Sequence, residues 1–350
     1  MGEKIVENKR IDRNNLILYL HGASAFQLLH AGVEFKIFDL LHEQKLLSLD
    51  QLVESTGLMK QPARTLAFGL TSLGLIEKSE ENYRNCDAIE ELFENKEYDL
   101  FKKMTLIQAH IMYVGQVDYV ESLRQNRNVG VQRYFGIGKT IYERLNHDQK
   151  LKKVFYDYME AYSAYALPHL LKNLDLSNVK NILDVGGGGG NNSIEIAKKY
   201  PNTNITLFDI PTAKSLAEEN IRRNELTERI RFSQGDMFKD KFPNNQDCVV
   251  FIHQLVIWSL EENRILLEKA YQSLNERGQV VIFSSMSDDD EKGPLMAALD
   301  TVYFRSVAAG NGMIYPHKEY EKMLEEIGFK RIQKIKCDTW TPHGIVVGYK

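Results

Sequence analysis

The sequence predicts an α/β fold: a mostly parallel seven-stranded sheet in the C-terminal half, preceded by an all-helical unit that ends in a small β-wing. Three observations carry this expectation. Beyond Asn181, short β-rich runs alternate with helical stretches, the order that a parallel sheet requires. The first of these runs leads into five consecutive glycines, Asp184-Val-Gly-Gly-Gly-Gly-Gly-Asn191, at a strand-to-helix turn. Before Asn181 the pattern is helical almost throughout, broken by one strand-turn-strand. At 350 residues and 40.3 kDa the chain exceeds one domain of roughly 150 residues. With 43% hydrophobic residues, 26% charged residues and 8 prolines it builds a packed core and is not disordered.

The N-terminus must first be cleared of a targeting reading. Lys4, Lys9, Arg10 and Arg13 precede the apolar run Leu16 to Leu20, and Ala23-Ser24-Ala25 imitates a signal-peptidase site. His21 ends that run well short of the roughly 7–15 apolar residues of a secretory segment, and Glu3, Glu7 and Asp12 dilute the positive start. No stretch reaches the ~18 apolar residues of a membrane span, so a cytoplasmic protein is expected. Cys86, Cys248 and Cys337 are far apart and contain no CxxC pair, which disfavours disulfides and a cysteine zinc site.

From Asn14 to Leu41 apolar residues recur at helical spacing, with Gly22 and Gly32 as expected breaks. Ser48-Leu-Asp-Gln51 reads as a capping box opening a helix that Gly57 stops. Pro62 starts a third helix and Gly74 closes it. Leu75 to Asn85 gives two strands around Glu80-Glu81-Asn82. Three helices and a wing suggest a winged helix, and with it DNA. The putative reading helix, however, carries only Lys60 and Arg64 before the neutral or apolar Thr65 to Ser72, and the net charge is -4 with a pI near 6.2. A protein–protein module fits better than a nucleic-acid or membrane binder. The expected division is residues 1–100 for this module, 101–175 for an aromatic-rich helical cap, and 176–350 for the sheet domain. The last two strands, Lys330 to Cys337 and Ile345 to Tyr349, are joined by Thr341-Pro-His-Gly344 and predict an antiparallel edge.

The glycine run does not satisfy a dinucleotide GxGxxG, because the last glycine would fall on Asn191 or Asn192. Asp184-x-Gly186-x-Gly188-x-Gly190 fits instead, and suits a cofactor without a pyrophosphate. Asp209 ends the next strand about 20 residues on, where a carboxylate would hold a ribose diol. Asp236, in Gly235-Asp-Met-Phe238, ends the third strand, where it could meet an adenine amino group.

These residues resemble those of class I S-adenosylmethionine-dependent methyltransferases. With the winged-helix front, the chain is similar over nearly its whole length to the small-molecule O-methyltransferases, which include plant caffeate, acetylserotonin and bacterial tailoring enzymes. The resemblance implies a Rossmann-like catalytic domain and a homodimer formed through the N-terminal domain. It also implies S-adenosylmethionine contacts from Asp184, Gly186, Gly188, Gly190, Asp209, Asp236, Met237, Phe238 and the linker-helix residue Ser163. Substrate contacts are expected from Met159, Tyr162, Tyr113, Tyr303, Arg305 and Val256.

The catalytic pattern departs from the family. Its base is the histidine of a His-Asp-Trp-Ser motif, supported by two glutamates. Here His253-Gln-Leu-Val-Ile-Trp-Ser259 keeps Trp258 and Ser259 but puts Val256 at the base position, while the glutamate positions map to Ser284 and near Ile314. Three readings follow. His253, three positions before Val256 and on its side if the stretch is helical, or His110 in the helical cap, could replace the base. Alternatively the acceptor needs no base, as with a thioether acid whose carboxylate Arg305 would clamp, or with carbon or nitrogen acceptors. In the third the cofactor is bound without methyl transfer, or the chain is a winged-helix regulator. His253 with His317 or Asp300 could gather around a cation, but no pair shows ligand spacing, and no metal is expected. Asp288-Asp-Asp-Glu291 reads as a solvated loop over the pocket. Tyr158, Tyr162 and Tyr165 share a helix face beside Met159, a wall suited to a flat acceptor.

Overall fold

The structure is a computed structural model and describes residues 11–350; Glu3, Lys4, Glu7, Lys9 and Arg10 of the targeting reading lie outside them. It divides into two compact units, one ending at Ala109 and one spanning His110–Lys350.

The first unit opens with α1 (Arg13–Leu20), α2 (Gly22–Glu34) and α3 (Ile37–Gln44). The first break falls at Gly22 as expected. The second does not fall at Gly32 but at Lys36, which takes the left-handed conformation at φ 55°. Gly32 stays inside α2 for another reason: a Cβ there would lie 2.9 Å from the Phe38 ring. After β1 (Leu47–Ser48), the Ser48 hydroxyl accepts from the Gln51 N–H and the Gln51 side chain accepts from the Ser48 N–H. This box starts α4 (Leu49–Thr56), which left-handed Gly57 ends. Next come α5 (Lys60–Ser72), β2 (Ile76–Ser79) and β3 (Asn82–Asn85), the three strands pairing antiparallel in the order β1-β3-β2. Phe38, Leu41, Leu47, Leu70 and Ile76 form the heart of this unit's core. Helices α6 (Asp87–Glu94) and α7 (Tyr98–Ile107) complete it.

A π-helical turn, Gln108–Met112, carries the chain across the boundary, and the second unit continues with α8 (Tyr113–Gln116), α9 (Tyr119–Gln125), α10 (Ile141–Arg144) and the long α11 (Gln149–Asn173). The sheet follows: β4 (Asn181–Val185), α12 (Asn191–Lys199), β5 (Asn204–Asp209), α13 (Lys214–Arg223), β6 (Ile230–Gln234), β7 (Gln246–Ile252), α14 (Leu260–Ser273) and β8 (Leu274–Ser285). Then come α15 (Leu295–Ser306), α16 (His317–Ile327), β9 (Lys330–Lys336) and β10 (His343–Tyr349). Seven strands run in the order β6-β5-β4-β7-β8-β10-β9, parallel except for β10, which is antiparallel to both neighbours. Alternate residues feed two cores. Ile182, Val250 and Val281 pack toward α11, α12 and α13, while Leu183, Val249 and Val280 pack toward α14 and α16. The strand order reverses between β4 and β7, and in such sheets ligands bind outside the carboxyl ends at that point. Among the described residues no single helix is long and apolar enough to cross a membrane.

Candidate active site

At the reversal point β4 delivers the glycine loop. Gly186, Gly188 and Gly190 take φ of 74°, 55° and 81°, a region costly for residues with a Cβ. These are the three positions that the sequence spacing singled out. The Gly188 N–H donates to Asp209 Oδ2 at 2.7 Å, and the Ile210 N–H donates to Oδ1 at 2.6 Å, so the loop and the end of β5 share one carboxylate. A Cβ on Gly188 would meet nothing within 4 Å, leaving the loop backbone open to a ligand.

Asp184 differs from its expected role as a cofactor contact. It is 1% exposed and lies beneath the loop, with Oδ2 accepting from the Ser193 hydroxyl at 2.6 Å and burial pushing the carboxyl up to about 6. A Cβ on Gly187 would come within 2.6 Å of that oxygen, so Asp184 sets the loop's height. Asp236 caps its own turn, accepting from the Phe238 N–H at 2.9 Å and pairing with Lys239 at 2.8 Å. Met237 and Phe238 are half-buried, and Phe238 meets Trp258 edge-on at 4.8 Å. Ser163 is buried on α11.

The facing wall comes from α11. Tyr162 shares a hydrogen bond of 2.8 Å with Ser285 at the carboxyl end of β8, and its ring lies 5.0 Å from those of His253 and His343. Tyr158 lies one turn earlier at 5.4 Å, and Met159 is half-buried between them. Tyr156 is raised by burial and then by the charge of Asp209, which puts the same helix beside the β5 carboxylate. Tyr165 leaves this group for Trp340, whose N–H donates to its hydroxyl at 3.3 Å.

His253 does not continue into a helix with Val256. It ends β7 at φ 57°, and only Leu255–Ile257 forms a single 3-10 turn. Its Nε2 is buried without a partner, and burial pushes the imidazole down to about 4. That leaves the imidazole neutral at pH 7 and weakens it as a proton acceptor for a phenol of pKa about 10. His110 lies in the π turn and Tyr113 opens α8, both half-buried. Arg305 is not a free clamp: Nη1 donates to Asn126 Oδ1 at 2.9 Å and to the Gly310 carbonyl at 2.6 Å, holding the end of α15 to that of α9. Tyr303 is buried, with the Tyr142 hydroxyl beside its own. Val256 and Ile314 are buried in one hydrophobic cluster with Ala297, and Ser284 is buried in β8. The positions that the resemblance equates with the family's base set thus carry mostly hydrocarbon. The acidic run is largely exposed, as a solvated loop would be, with surface pairs of Asp288 with Lys336 at 2.7 Å and Asp289 with Lys334 at 3.3 Å.

Two participants escaped sequence reasoning, and a third, Asp300, was weighed there only as a cation ligand. Gln254 donates from Nε2 to the Gly186 carbonyl at 2.9 Å, tying the end of β7 to the glycine loop. His343 lies in what read as a mere connection. Asp300 on α15 is half-buried, with no hydrogen bond or ion pair among the described residues, and burial pushes it up to about 7.

A family model for the O-methyltransferase domain matches residues 117–330. The chain belongs to this methyltransferase family. It is 40% identical to an L-tyrosine C(3)-methyltransferase of Streptomyces lavendulae over 97% of this chain and 93% of that one. The apo structure of the S-adenosylmethionine-dependent methyltransferase SibL is similar with a TM-score of 0.86 and 37% identity, over 97% of this chain and 99% of that one. Human N-acetylserotonin methyltransferase in complex with SAM shares the fold at a TM-score of 0.80 and 22% identity, over 100% of this chain and 99% of that one. This methyltransferase uses S-adenosylmethionine and acts on a small molecule. The open, left-handed glycine cradle and the carboxylate it orders at Asp209 fit that cofactor.

Proposed function

We propose that this methyltransferase places a methyl group on a ring carbon next to the hydroxyl-bearing carbon of a tyrosine-like phenol. The observation that carries this reading is the 40% identity to the L-tyrosine C(3)-methyltransferase along 97% of the chain. The replacement of the family's base set by Val256, Ser284 and Ile314 supports it, because these residues do not equip the site for ordinary phenol O-methylation. When bound, S-adenosylmethionine supplies an electrophilic methyl on a sulfonium sulfur.

Gly186, Gly188 and Gly190 approach the cofactor through backbone, and Asp209 accepts from its ribose hydroxyls. Asp236, Met237 and Phe238 border the adenine, Ser163 closes the site from α11, and Asp184 holds the loop from below. Tyr162, Met159, Tyr113, Tyr303 and Val256 enclose the acceptor ring and exclude water, leaving position rather than solvent to direct attack to carbon. The N-terminal unit is a winged-helix homodimerisation module rather than a DNA reader, a reading supported by α5, whose only charged residues are Lys60 and Arg64, and by the net charge of -4. The enzyme works in the cytoplasm.

The test uses methyl-labelled S-adenosylmethionine with L-tyrosine, followed by mass spectrometry and NMR of the product. A label on the ring carbon beside the hydroxyl is expected. A label confined to the phenol oxygen or the amine, or none transferred to tyrosine, would refute the reading.

A further inference from the structure

Carbon methylation next to a phenol hydroxyl still requires that hydroxyl to lose its proton, since the neutral ring is a weak nucleophile and the phenolate a strong one. Position 256 cannot take the proton. We infer that Asp300 does, so that the base has moved from the loop after β7 to α15, the helix that packs on that loop. The inference rests on the tyrosine-like acceptor proposed above.

Location is the first argument. Ala297, one turn before Asp300, packs with Val256 and Ile314, the positions where the family's base and one of its supporting glutamates would stand. The carboxylate therefore lies one turn along the same wall. The second argument is its neighbours: Tyr158 and Tyr162 of α11 both feel the Asp300 charge. Tyr162 in turn bonds Ser285 and lies 5.0 Å from His253, whose neighbour Gln254 holds the glycine loop. The tyrosines that feel this carboxylate are thus joined by contacts to the end of β7 and the cofactor loop. Third, Asp300 has no hydrogen bond or ion pair among the described residues. No cation faces it from α11, and Tyr303 is the titratable group that follows it on its own helix. A carboxylate close enough to Tyr158 and Tyr162 to act on both, and neutralised by no partner among the described residues, retains its oxygens for a substrate proton.

Basicity separates it from its competitor. Burial raises Asp300 to about 7 and lowers His253 to about 4. Against a phenol at about 10, Asp300 is the better-matched acceptor. In the step itself the phenol proton passes to an Asp300 carboxylate oxygen. The ring's electron pair at the adjacent carbon forms the new C–C bond while the methyl–sulfur bond breaks, its pair remaining on sulfur. The hydrogen displaced from that carbon then leaves to water as a proton, and aromaticity returns.

The experiment compares wild type, Asp300→Asn and Asp300→Glu on L-tyrosine and on 3-fluorotyrosine, whose phenol is more acidic. Asp300→Asn is expected to lower kcat on tyrosine by about 10²–10⁴-fold, with unchanged S-adenosylmethionine affinity in calorimetry. The deficit should shrink at least about tenfold on 3-fluorotyrosine, and Asp300→Glu should recover part of the rate. An infrared titration without turnover should show a carboxyl ionising near neutrality in wild type and missing from Asp300→Asn. The inference falls if Asp300→Asn keeps kcat within about threefold, or if its deficit is the same on both phenols. It also falls if only KM rises, which would make Asp300 an anchor for the amino group. A wild type that never methylates a tyrosine ring removes the acceptor reading itself, and this inference with it.

Discussion

Asp209 engages one oxygen with Gly188 and the other with Ile210, and each oxygen keeps a lone pair for a ligand hydroxyl. Asp209→Ala should therefore weaken S-adenosylmethionine binding by about 1–3 kcal/mol in calorimetry; an unchanged affinity would move the ribose elsewhere. His253 makes a prediction about stability instead. Its folded value of about 4 lies below the ordinary 6.5, so the unfolded chain binds the proton first. Its contribution is complete above pH 6.5 and is lost as pH falls toward 4. His253→Leu should flatten the decline of stability across that window by on the order of 2 kcal/mol, read from denaturant midpoints at several pH values. Asp184, raised to about 6, pulls the other way in both proteins and cancels from the difference. The glycines and Asp209 were legible in the sequence because strand, loop and carboxylate are fixed by local spacing. Gln254 and His343 were not, and Asp300 was legible only as a possible cation ligand, since each gains meaning only from partners brought in from distant strands and helices.

Whole elements show the same divide. The capping box at Ser48 and the glycine stop at Gly57 were readable because a helix end is satisfied by residues within a turn of it. Gly32 was misread as a break because its constraint, the Phe38 ring, arrives through tertiary contact. A more severe case is the crossing of α8 with the 3-10 turn Val129–Arg133. A Cβ on Gly130 would sit 2.1 Å from the Gly115 carbonyl oxygen and 2.8 Å from that of Ser306, and backbone cannot swing aside as a side chain can. Gly130→Ala should destabilise the second unit by about 1–3 kcal/mol in equilibrium unfolding. A midpoint unmoved by the added methyl would show that this crossing is looser than drawn.

At the scale of the whole molecule, the seven-stranded sheet and its switch point were legible because alternation of strand and helix fixes a parallel topology with few choices. What the alternation leaves open is assembly. In α1 no residue is buried, yet Leu16, Ile17, Leu18, Tyr19 and Leu20 are consecutive and Leu20 is 80% exposed. A row of five apolar side chains in water is costly for a lone chain and useful to a dimer. The homodimer proposed above predicts a light-scattering mass of about twice 40.3 kDa for wild type. Leu16→Glu with Leu20→Glu should drive it toward the single-chain mass, because charge buried in an apolar interface goes unpaid. Cofactor affinity should survive the change, as every proposed S-adenosylmethionine contact lies within His110–Lys350. A wild type that runs as a single chain would return α1 to the surface, and its apolar row would then need a different partner.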